Sequence, residues 1–240
     1  MQKPFTRLSM VAQTMFVQTS QVCLDLDTQL RRGLTGKDLI PENYVEPMAK
    51  AAQVLGCAAM PAKHFKALNR LSKQGFFRAG GALTGALAVH AYANAFGVRW
   101  SRGVAKNVGN VDTNACLVAA PGIEAKIPKL QGKLRRREHE DYLAEGSDGA
   151  LVISNGRFAQ VNVVQPARYI IHTLAQPTTS KPDIARAYAV LHVMMEQFPY
   201  RVEEAYHAFA SRSSDCEHAV WRAMRVAEAT EPTLYGSLEF

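Results

Sequence analysis

The chain has 240 residues, of which 48% are hydrophobic and 20% charged. That balance supports a packed core and excludes a wholly disordered chain. Lys plus Arg number 28 against 21 Asp plus Glu, and the net charge of +7 favours an anionic partner. No apolar run reaches the roughly 18–20 residues of a membrane helix, and residues 1–23 lack the apolar region of a secretory signal. Cys23, Cys57, Cys116 and Cys216 are scattered without zinc or disulfide spacing. These features predict a cytoplasmic protein with reduced thiols and no membrane contact.

In chain order, Leu8, Val11, Met15 and Val22 form a helical stripe, and Gly33, Gly36 and Pro41 mark a turn. Helices are predicted over 47–55 and, after Pro61, over 62–73, with Phe65, Leu68 and Leu71 on one face. Residues 76–85 read as a buried, glycine-rich strand and 86–96 as a helix closed by Gly97. A strand, a glycine and a helix in that order suit an anion, because helix N-termini carry free N–H groups that glycine lets an anion approach. Residues 110–118 read as a strand, on which period-two geometry puts Asn110 and Asp112 on one face. The basic run of Lys126, Lys129, Lys133, Arg135, Arg136 and Arg137 is a candidate nucleic-acid contact. Strands over 150–154 and 158–164 flank Asn155-Gly156, a hairpin signal. Helices follow from Pro166 to Ala175, over a stretch with Ala185, Ala189, His192 and Met195 in one stripe, and from Arg201 to Ala229. The tail from Thr230 reads as loose.

Two stretches together resemble a bacterial nucleotidyltransferase-fold family of the polymerase-β-like superfamily, distantly related to AbiEii-type transferases. The first runs from Phe76-Phe77-Arg78-Ala79-Gly80-Gly81 through Gly97-Val98-Arg99-Trp100 to Asn110-Val111-Asp112. The second joins Pro166-Ala167-Arg168-Tyr169, His172 and Lys181-Pro182-Asp183. The resemblance spans about residues 62–195. It implies transfer of a nucleoside monophosphate from an NTP, with two Mg²⁺ held by a D-x-D pair and a third carboxylate, and with the triphosphate at the glycine turn. Carried onto this chain, it implies Asp112 and Asn110 as the catalytic pair and Asp112 as metal ligand. It also implies nucleotide contacts from Gly85, Ala86, Arg78, Arg99, Lys106 and Asp183.

The chain departs from the family pattern at several of these positions. Asn110 stands where the first aspartate of the pair belongs, Ala86 where Thr or Ser is usual, and Thr173 where the pattern has Lys. No strand bearing a third acid is evident; Glu124 and Glu140 are the nearest candidates, and Asn162 lies on a strand where an acid would serve. His172 and His90 read first as packing histidines.

The expected fold is α+β: a small mixed nucleotidyltransferase-like sheet within residues 76–165, flanked by helices. A helical N-terminal region (1–75) and a helical C-terminal region (166–240) complete it. The expected function is a catalytically degenerate module that binds a nucleotide, nucleic acid or protein. The alternative is an active, Mg²⁺-dependent nucleotidyltransferase acting on a protein, RNA or small molecule.

Overall fold

Strands β5 (Ser147–Ser154) and β6 (Arg157–Val164) pair in full antiparallel register, from Ser147 opposite Val164 to Ser154 opposite Arg157. Their two-residue turn puts Asn155 at φ 48° and Gly156 at φ 71°. Positive φ at both positions matches the twist of the strands. The computed structural model describes residues 4–14, 17, 42–105, 108–123, 127, 134, 137–177 and 179–230. The turn at Gly33 to Pro41, Met15, Val22, Cys23 and the tail beyond Thr230 lie outside them.

The hairpin forms one side of a four-stranded mixed sheet in the order β4 (Leu117–Ala119), β2 (Gly81–Leu83), β6, β5. Strand β2 runs parallel to β6 and antiparallel to β4. A two-stranded ribbon pairs β1 (Phe5–Arg7) with β3 (Val98–Trp100). The Trp100 indole N–H donates to the Val89 carbonyl at 2.7 Å, which ties the ribbon to the helix beside it.

That helix, α3 (Gly85–Ala95), is buried on nearly every side, as its almost wholly apolar composition requires. The Tyr92 hydroxyl donates to the Val164 carbonyl, and the Asn94 amide both accepts from and donates to the backbone of Ala58. Before it come α1 (Glu42–Val54) and α2 (Ala62–Lys73), both packed on the hairpin. Helix α1 starts five residues before Pro47, which therefore lies inside the helix and not at its head. A short helix α4 (Arg102–Ala105) and a 3-10 turn at Val108–Asn110 lead towards β4. Helix α5 (Glu140–Ala144) precedes the hairpin.

Helices α6 (Pro166–Ala175), α7 (Lys181–Gln197), α8 (Pro199–Ala210) and α9 (Ser214–Thr230) close the fold. The single helix expected over 201–229 is two. The chain breaks after Ala210, and the Ser213 hydroxyl accepts from the Cys216 N–H to start α9. Arg168 and Arg212 both stack on the Tyr142 ring and bond to Glu145, and Arg212 also pairs with Asp141. One apolar cluster runs from Phe5 through the sheet to Cys216, so all three sequence regions share a core.

Two expected strands are largely replaced by turns. Between Gly75 (φ 80°) and Gly80 (φ 99°) the chain coils back, and only Gly81–Leu83 is strand. Turn hydrogen bonds hold this coil, from the Ala79, Gly80 and Gly81 N–H groups to the Gly75, Phe77 and Phe76 carbonyls, and the Phe76 ring lies 2.4 Å from where a Cβ on Gly81 would sit, a space only glycine leaves. Residues 110–116 likewise form turns, and the strand begins at Leu117.

Candidate functional site

The loop between β2 and α3 opens onto a cleft of about 690 Å³, within the size range of small-molecule sites. Four elements meet there. The start of α3 contributes Thr84, Gly85 and Ala86, and the loop before β4 contributes Asp112 and Cys116. Helix α6 contributes Tyr169, His172 and Thr173, and the head of α7 contributes Ser180, Asp183 and Arg186.

Thr84 caps α3 in extended conformation, and its N–H donates to the Cys116 carbonyl at 2.8 Å. Its side chain makes no capping hydrogen bond, and the Ala86 and Leu87 N–H groups at the head of the helix reach the Cys116 sulfur. Gly85 has φ 60°. A Cβ there would meet only the Cys116 sulfur at 3.6 Å, an ordinary contact. Backbone conformation, more than space, therefore calls for glycine. Burial pushes the Cys116 thiol up, while the N–H groups of Leu87 and Ala86 and the Arg137 guanidinium pull the other way.

Asp112 closes an Asx turn, its Oδ1 accepting from the Asn114 N–H at 3.0 Å. The next residue, Thr113, shares a 2.8 Å hydrogen bond with Nδ1 of the fully buried His64 of α2, which anchors the loop. Asn110 ends the 3-10 turn, exposed and away from the cleft. The expectation that Asn110 and Asp112 share one strand face is therefore corrected: no strand runs through them, and the Asp112 side chain bonds to local backbone instead.

At the head of α7, the Asp183 N–H donates to the Ser180 hydroxyl oxygen, a side-chain cap. The Ser180 hydroxyl in turn donates to one Asp183 oxygen at 2.6 Å. The other Asp183 oxygen accepts from Arg186 at 2.8 Å, and the Arg186 side chain is only 6% exposed. His172 donates from Nε2 to the Glu138 carbonyl at 2.8 Å, and burial drives its pKa down to about 4. It is a neutral imidazole at physiological pH. The Tyr169 hydroxyl is buried with no hydrogen-bond partner among the described residues. Burial pushes its pKa well up, so it remains a donor.

Of the positions singled out in the sequence, Gly85, Ala86, Asp112 and Asp183 meet in this cleft. Arg78 and Arg99 do not. Arg78 is exposed in the turn after α2, and Arg99 reaches out from β3 to the Gly56 carbonyl. Both were expected at the nucleotide, and neither lines this cleft. Lys106 and Glu124 lie outside the described residues, as do Lys126, Lys129, Lys133, Arg135 and Arg136.

Arg137, expected on a nucleic-acid face, turns inward. Its guanidinium donates to the carbonyls of Leu117 (3.0 Å) and Ala115, because these carbonyls beside β4 need a donor. The Asn162 amide donates to the Phe77 and Gly81 carbonyls, and Glu140 accepts from the Ala119 and Arg137 N–H groups. Cys116, Tyr169, Arg186 and Glu138 were not foreseen as lining residues. Only α7 carried a usable signal, the Ser180-x-x-Asp183 cap.

A pair of Mg²⁺ ions needs several carboxylate oxygens converging on one point. Here Asp183 has both oxygens engaged, Asp112 has one engaged, and Asn110 lies off the cleft. Among the described residues no three His, Cys, Asp or Glu side chains gather as a ligand set. The described residues do not fit a two-metal centre. Among the described residues, no helix is long and apolar enough to cross a membrane. Comparison of the chain with family models, with curated proteins and with solved structures gives no match.

Proposed function

We propose that this chain is a nucleotidyltransferase-fold protein without the transfer chemistry, whose cleft is a metal-independent binding site for a nucleotide or a similar phosphorylated ligand. One observation carries the reading. Gly85, Ala86, Asp112 and Asp183, spread over 98 residues of sequence, line a single cleft at the head of an 11-residue helix. The N–H groups there suit a phosphate. The buried Tyr169 hydroxyl, which has no geometrically formed hydrogen bond among the described residues, supplies a donor.

Calorimetry with a panel of NTPs, with EDTA and then with Mg²⁺, tests this. Binding is expected in both conditions with similar affinity. Tyr169→Phe is expected to weaken it about tenfold while leaving the fold as stable or slightly more so, because an unsatisfied buried hydroxyl is removed. Incubation with labelled NTPs and Mg²⁺ or Mn²⁺ supplies the opposing outcome. Metal-dependent label transfer that Asp112→Ala abolishes would establish the transferase and defeat the binding-module reading.

A further inference from the structure

We infer that α2 carries a docking surface for the phosphate backbone of duplex nucleic acid. This surface is separate from the cleft and does not depend on the reading given for it. Residues 47–111 contain nine Lys and Arg and no Asp or Glu, more positive charge than the net +7 of the entire chain. On α2 that charge is ordered. Lys63, Lys66, Arg70 and Lys73 follow one another at intervals of three, four and three residues, which aligns them on one helix face. The opposite face buries His64, Phe65, Leu68 and Leu71 in the core.

All four cations are exposed, and so is Arg78 in the turn beyond. The ion pairs of the described residues lie elsewhere, and none involves these five. Like charges three and four residues apart repel and cost a helix a few tenths of a kcal/mol each. An external polyanion removes that cost.

The chemistry of the face selects the occupant. The four cations span eleven residues, about 15 Å of helix, and duplex DNA presents one negative charge per roughly 1.7 Å of its axis. A helix that binds in a bilayer surface needs apolar side chains to insert, whereas those of α2 are in the core. Unpaired bases bind by stacking on aromatic rings, and the exposed face of α2 offers none; Phe76 and Phe77 just beyond it are buried. Cations without apolar or stacking groups fit the backbone of a duplex, read without regard to sequence.

The test is fluorescence anisotropy of the full chain on a 20-base-pair DNA duplex of mixed sequence, between 50 and 200 mM salt. Four phosphate contacts give a slope of about −3.6 in log K against log salt, a loss of about 150-fold over that range. Lys66→Gln with Arg70→Gln is expected to reduce the slope to about −1.8 and the loss to about 12-fold. Arg157→Gln with Arg201→Gln, which removes the same charge elsewhere, leaves the slope unchanged. Four outcomes overturn the inference: no duplex binding at 50 mM salt, a stripe variant that behaves like the control pair, tighter binding of a matched single strand, or capture by phosphatidylserine vesicles without duplex binding. The stripe variant is also titrated with nucleotide. Unchanged cleft affinity supports two separate surfaces, and a joint loss overturns their separation.

Discussion

The cations of the cleft and the cations of α2 do opposite things. Arg137 and Arg186 line the cleft, yet each is turned to its own protein: Arg137 to two backbone carbonyls, Arg186 to Asp183. The four cations of α2 are exposed, with no carboxylate paired to them among the described residues. Positive charge lining the cleft is thus structural here, and the positive charge of α2 is turned to solvent. Which kind a residue is depends on whether unpaired carbonyls or carboxylates lie within its reach, a property of the fold that composition does not report.

Stability measurements probe that contrast, and the largest effect is expected from the uncharged member of the cleft wall. His172 has a folded pKa near 4, below the ordinary histidine value of about 6.5. Between those values the unfolded chain binds the proton and the folded chain does not. Stability therefore falls as pH drops from 6.5 towards 4, by about 3 kcal/mol from this group. Burial also lowers the pKa of His90, which adds in the same direction. Urea denaturation of the protein and of His172→Gln at pH 7 and pH 4.5 should show a flatter pH dependence for the variant; parallel curves would refute this role.

Arg137→Ala comes next. It deprives the Leu117 and Ala115 carbonyls of a charged donor and should cost about 2 kcal/mol, a fall in Tm of about 4–8 °C. Asp183→Asn should cost about 1–2 kcal/mol. That is less than the loss of one partner from a fully buried pair, because the Asp183 side chain is 41% exposed. Smallest of all, Lys63→Gln and Lys73→Gln on α2 should lie within about 0.5 kcal/mol of the parent. A large loss from either lysine, or none from Arg137, would erase the distinction between structural and available charge.

Elements with strong local chemistry were legible in the sequence. Asn155-Gly156 set the hairpin turn, Pro61 the start of α2 and Pro166 the start of α6, each through a backbone restriction that no tertiary contact needed to supply. The mixed sheet flanked by helices followed from those elements. What escaped depended on distant partners. Phe76 reads as a strand residue until its ring is seen lying against Gly81. Asp112 reads as the second member of a pair on a strand until its carboxylate is seen to hold the Asn114 N–H. Of the site, the glycine turn, Asp112 and Asp183 were legible. Tyr169 and Arg186 were not, because nothing in their local sequence distinguishes a cleft-lining residue from a core one.

The ribbon of β1 and β3 has a consequence for how the chain is made. Phe5 pairs with Trp100, 95 residues later. At synthesis rates of about 5–20 residues per second, roughly 5–19 seconds separate the two on the ribosome. Phe5, only 4% exposed in the finished fold, spends that interval without its partner strand. The nascent chain therefore carries an unmatched strand while α1, α2 and α3 are being made. Helper proteins that shield nascent apolar segments would find their opportunity in that interval.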